Sequence, residues 1–129
     1  MANTITKTTV VNGDVNLIQI ISVVGDGSGE ETNLLLVDRS TFAPVAGTAM
    51  IVDKIEGYLS GFSASLTFDA TADLVFARLP PDYFSYDWKC FGGVHSGKAG
   101  AGANGDILIS TSSLGAGDAG TFYLHMRKK

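Results

Sequence analysis

The chain has 129 residues, 45% of them hydrophobic, and carries nine Lys and Arg against thirteen Asp and Glu for a net charge of −4. That length fits one domain, and that apolar fraction is enough to build a core, which excludes a globally disordered chain. The acidic balance, with a pI near 4.9, argues against a broad nucleic-acid-binding surface.

Period-2 alternation and β-branched residues open the sequence. TITKTTVV (4–11) predicts a strand ending at Asn12-Gly13, a strong hairpin signal. Residues 1–9 are expected as an N-terminal arm or edge strand. After Asp14, VNLIQIISVV (15–24) is apolar on both faces, as central or partner-covered strands are. Its apolar stretch is too short to cross a bilayer as a helix, and the polar start MANTITKTTVVNGD has no signal-peptide core. A soluble, unprocessed chain with no membrane partner is therefore expected.

GDGSGEE (25–31) breaks the second strand, and TNLLLVD (32–38) predicts a third. RSTFAPVAG (39–47) reads as a connection, with Pro44 arguing against a strand. TAMIVDKIEGYLSGF (48–62) fits a strand with Ala49, Ile51, Ile55 and Leu59 on one face; helical spacing also fits, but Gly57 and Gly61 disfavour it. SASLTFD (63–69) and ADLVFARL (72–79) predict a hairpin whose turn Asp73 caps with an Asx hydrogen bond. Pro80-Pro81 is expected to stop the sheet, leaving 80–105 as a long aromatic and glycine-rich loop. DILIST (106–111) and TFYLHMRK (121–128) are the final strands, the latter with Phe122, Leu124 and Met126 inward. The terminal Arg127-Lys128-Lys129 reads as a solvated tail.

About eight short strands at regular spacing, with glycine turns and no helical stripe between them, predict an all-β fold. The expected architecture is a single antiparallel β-sandwich domain over 1–129, jelly-roll-like. A parallel βαβ fold has no crossover helices to use.

Two phosphate-binding patterns occur in GGVHSGKAGAGANGD (92–106). Gly92 to Lys98 fits G-x-x-x-x-G-K, and Gly100 to Gly105 fits G-x-G-x-x-G. Both motifs work by feeding a helix N-terminus onto phosphate. Here Ala99 replaces the metal-binding hydroxyl, and the strand at Asp106 replaces the helix. The segment is expected to be a glycine connection that binds no nucleotide and is ordered by a neighbouring subunit.

Cys90 is the only cysteine, so no intrachain disulfide forms, as suits a reducing cytoplasm. Cys90, His95 and His125 fall short of a structural zinc set. A Cys90–His95 nucleophilic pair is conceivable, yet a thiol between Trp88 and Phe91 reads as buried and inert. Asp26, Ser28, Glu30 and Glu31 match no EF-hand register. No catalytic, cofactor or metal residues are assigned, and the chain is expected not to be an enzyme.

PPDYFSYDWKCF (80–91) is the strongest contact candidate, because one strand face does not readily bury all its rings. Tyr83, Phe84, Tyr86, Trp88 and Phe91, with His95 beside them, are the candidate partner contacts. The alternatives are a plug over one end of the sandwich and a glycan- or receptor-binding loop.

GDILIST, a glycine-rich turn and the strand ending LHMRK resemble small β-rich proteins of tailed-bacteriophage particles; DATAD (69–73), RLP (78–80), FGGV (91–94), the NGD turn and GDGSGEET fit the same pattern. The resemblance implies a virion structural protein that decorates or cements the capsid as a homotrimer over joints of the major capsid protein. It further implies synthesis in host cytoplasm and a place on the capsid surface. It carries over no catalytic residues.

Overall fold

The computed structural model describes residues 3–13, 15–42 and 49–129. Among these, ten strands form: β1 (Thr4–Asn12), β2 (Asn16–Val24), β3 (Leu34–Val37), β4 (Met50–Ser60), β5 (Ser63–Phe68), β6 (Leu74–Leu79), β7 (Asp82–Asp87), β8 (Val94–His95), β9 (Ile107–Ser112) and β10 (Ala119–Lys128). The expected all-β class holds, and every described pairing is antiparallel. Asp14 and residues 43–48, with Pro44, lie outside the described residues.

The first sheet runs β1-β2-β10-β4-β7, with the short β8 also beside β4, and the second runs β3-β9-β5-β6. The pairing is nested: β2 with β10, β3 with β9, β4 with β7 and β5 with β6. A long hairpin rolled over on itself gives this order.

Alternation supplies the core between the sheets. On β10, Phe122, Leu124 and Met126 are buried as the spacing predicts, while Leu17, Ile21 and Val23 of β2 join them. Leu66 and Phe68 of β5, with Ile107 and Ile109 of β9, come from the opposite sheet and belong to the same cluster. Each such side chain contributes about 1.5–3 kcal/mol on leaving water.

The segment at 48–62 is a strand, but its faces are not the ones that simple alternation predicts. The pairing of β4 with β10 shifts between His125 and Met126, which leaves Asp53 as an extra residue in a bulge. Met50 and Val52 therefore point to the core on one side of the bulge, and Ile55 and Leu59 on the other. Ile51 joins neither set: Gly93, at φ +80, brings backbone onto it, and a Cβ there would meet Ile51 and Asp53.

Pro80-Pro81 ends β6 without stopping the fold. Asp82, at φ 72, turns the chain from the second sheet into the first, where β7 pairs with β4. The loop expected over 80–105 thus contains a six-residue strand at its start and the two-residue β8 later.

Of the three C-terminal cations only Lys129 is exposed; Arg127 and Lys128 are not a solvated tail. Arg127 makes a bidentate pair with Asp53 (2.8 and 3.0 Å), and Lys128 is 6% exposed with its ammonium on Asn12 Oδ1 (2.7 Å) and the Gly13 carbonyl. A charge-assisted bond of this kind ties β10 to the β1–β2 turn.

Candidate functional site: an aromatic face on the first sheet

Side chains on the outer face of the first sheet fall into rows fixed by strand register. One row is Ser22, Thr121, Tyr58 and Tyr83; the next is Ile20, Tyr123, Glu56 and Ser85; the third is Ile18, His125, Lys54 and Asp87. Tyr58, Tyr83 and Tyr123 are 50%, 70% and 41% exposed, so three rings stand together in solvent. They wall a hollow of about 330 Å³ whose floor includes Gly57 and Thr121 and whose edge is Glu56.

Between Glu56 and Tyr58, Gly57 faces the core in register with Phe122 and Phe84, and a Cβ there would collide with the Thr121 carbonyl and the Phe122 backbone.

Charge sits at one side of the hollow. Lys54 Nζ lies 3.4 Å from Glu56 Oε2, and His125 Nε2 lies 4.0 Å from Glu56 Oε1. The His125 ring also stacks on Tyr123, with centroids 6.5 Å apart. Beyond them a second hollow of about 460 Å³ is lined by Lys54, Asp87, Lys89 and His125 among others. The second sheet differs: Ser63, Ser65, Ser110 and Ser112 line its hollow, together with Arg78 and Tyr86.

The six contact candidates do not form one surface. Tyr83 joins the aromatic face, whereas Phe84 points the other way, is 4% exposed and lies 6.3 Å from the Phe122 ring. Phe84 is therefore a core residue, because neighbours on a strand face opposite sides. Tyr86 donates to the Arg78 carbonyl (2.8 Å) and stacks on Trp88 (5.7 Å), and both are half-buried. Phe91 is 83% exposed on the glycine loop. His95 is half-buried opposite Ile51, its Nδ1 accepting the Gly97 N–H.

Cys90 is exposed, which corrects the expectation of a buried thiol. With Nδ1 engaged by Gly97, His95 is held by its own loop. No group of three or more His, Cys, Asp or Glu placed to hold a metal occurs among the described residues. The glycine loop is tied to the turn between β5 and β6: Thr71 N–H donates to the Ala101 carbonyl, and Asn104 Nδ2 to Asp69. The P-loop-like match ends inside a four-residue 3₁₀ turn, Ser96–Ala99, that contains its Gly97 and Lys98. Asp73 Oδ1 caps the neighbouring turn by accepting the Ala70 N–H from three residues back, not by the expected Asx hydrogen bond.

Two carboxylates depart from their usual range. Burial, with Asp38 and Asp69 nearby, raises Asp106 despite the hydrogen bond from Arg39 N–H; the contacts of Ser28 lower Asp26.

Tyr58 and Tyr123 are functional candidates that local reading of the aromatic segment misses. Their outward positions are visible in the alternation of β4 and β10, but their meeting with Tyr83 depends on the register of three strands. No protein-family model matches the chain, and no curated protein matches it.

Proposed function

We propose that this chain is a structural protein of a tailed-bacteriophage particle, a decoration protein that cements the capsid through protein–protein contacts. The nested strand order, β2-β10-β4-β7 over β3-β9-β5-β6 with β1 added at one edge, supports a jelly-roll reading of the sandwich. On the decoration-protein reading the chain is made in host cytoplasm, assembles as a homotrimer, and binds the major capsid protein at the particle surface.

The observation that carries the reading is the flank where β1 and β3 end their sheets. β1 is nine residues long, exposed at all but one position, and paired only with β2. It contains no proline and one charge, Lys7. Lys7 Nζ reaches the Leu35 carbonyl, so β1 and β3 border the same flank. Val10, Val11, Leu34 and Leu35 are 53%, 39%, 38% and 40% exposed along those strands. A nine-residue exposed edge flanked by apolar side chains, with Lys7 and the bulge at Val10 interrupting it, offers backbone to a neighbouring chain.

The test is to mix the purified chain with capsid shells of the phage that encodes it and isolate the particles on a gradient. Stoichiometric retention, with a trimer by light scattering, is expected. A monomer that stays off the shells sinks the proposal.

A further inference from the structure

We propose that the tyrosine-walled hollow on the outer face of the first sheet is a subsite for a neutral pyranose unit of a glycan. The site is separate from the β1–β3 flank: Tyr58, Tyr83 and Tyr123 lie on β4, β7 and β10, at the other side of the sheet from β1.

Shape gives the first argument. A hollow of about 330 Å³ is at the small end of the ~300–1,000 Å³ range of ligand clefts, enough for one or two sugar rings. Between the three rings it is lined by Glu56, Gly57 and Thr121, none of which is a bulky aliphatic side chain.

Chemistry chooses the occupant. A pyranose presents an apolar C–H face and a rim of hydroxyls. Tyr58, Tyr83 and Tyr123 each offer an apolar ring face and a phenolic tip that donates or accepts. Thr121 adds a hydroxyl, and the Glu56 carboxylate accepts at the edge. No aliphatic side chain lines the hollow, which disfavours an apolar peptide. Glu56 at its border disfavours a phosphate or acidic sugar, while Lys54 and His125 hold that carboxylate from behind. The neighbouring hollow, lined by Val11 and Ile18 as well as Lys54, Asp87 and His125, reaches toward β1 and is not part of the subsite. Because all these groups stand on paired strands, little order is lost when a ligand binds.

The experiment titrates the isotope-labelled full chain with cellohexaose and with the hexamer of N-acetylglucosamine, followed by NMR. For at least one sugar, saturable shifts confined to residues 54–58, 83–87 and 121–125 are expected. Tyr58→Ala and Tyr83→Ala should each weaken binding about tenfold with unchanged melting, the equivalent of ~1.4 kcal/mol of lost stacking. Tyr83→Phe, which keeps the ring, should retain most of the affinity. No shifts at millimolar concentrations of either sugar would overturn the proposal. So would shifts that track protein concentration instead of sugar, since they would assign the face to a second copy of the chain.

Discussion

At the scale of single residues, the side chains that hold this molecule together include several that composition alone assigns to the surface. Arg39 is 1% exposed, and its guanidinium donates to the carbonyls of Ala49 and Phe42 at 2.9 and 2.8 Å. Its backbone N–H donates to Asp106 Oδ1 at 2.8 Å, which places Asp106 beside Asp38 and Asp69. Burial and these two neighbours raise the Asp106 carboxyl, so the folded chain holds that proton more tightly than the unfolded chain does. Ionised Asp106 therefore subtracts from stability above its folded-state value, and the penalty fades as pH falls through that value and is gone below the ordinary value of about 3.9. Asp106→Asn keeps an oxygen to accept the Arg39 N–H and removes the charge. It should melt above the parent chain near pH 7 and lose that advantage near pH 3, as thermal melts across the range will test.

At the scale of elements, bulges and close crossings decide which faces become core and which become site. At Gly57 on β4 the Thr121 carbonyl and the Phe122 backbone of β10 lie inside contact distance of any added Cβ. Gly57→Ala should cost roughly 2–4 kcal/mol by forcing these strands apart, read as a lower denaturation midpoint. Val10 is the opposite case. It is the extra residue where β1 slips against β2 between Thr9 and Val11, and it is 53% exposed. Val10→Lys should leave the melting temperature nearly unchanged yet abolish retention on capsid shells. Retention equal to that of the parent chain would move the docking surface off this flank. The eight strands visible in the sequence all form, because alternation and glycine turns are local signals. β7 was hidden by Pro80-Pro81, which reads as a terminus when in fact it marks a crossing between sheets. The Asp53 bulge leaves no local sign, so alternation groups Ile51 with Ile55 and gives no hint of the Arg127 pairing with Asp53. The aromatic face was legible only in part. Tyr83 was identified as a contact, but Tyr58 and Tyr123 reach it through pairings between distant parts of the chain.

At the scale of the whole molecule, the nested order makes the last strand the keystone. β10 is made last, yet it lies between β2 and β4 and pairs along its length with both. Ser22 and Thr121, 99 residues apart in sequence, meet across the β2–β10 ladder. Closing such a loop costs chain entropy before any contact repays it, so β2 and β4 gain a common partner only late in folding. Without β10 the first sheet divides into a β1–β2 pair and a β4–β7 pair, and the core loses Phe122, Leu124 and Met126. An isolated two-stranded ribbon is marginal in water, and three fully buried side chains are worth about 5–9 kcal/mol, comparable to the net stability of a small domain. A chain ending at Asp118 should consequently show no cooperative thermal transition. A chain beginning at Gly13 loses only β1, which is exposed almost throughout, and should still unfold in one cooperative step at a lower temperature. Calorimetry on the two truncations separates these roles. A cooperative melt from the chain lacking β10 would mean that the sandwich closes without its central strand, and the nested pairing would then not be what holds the two sheets together.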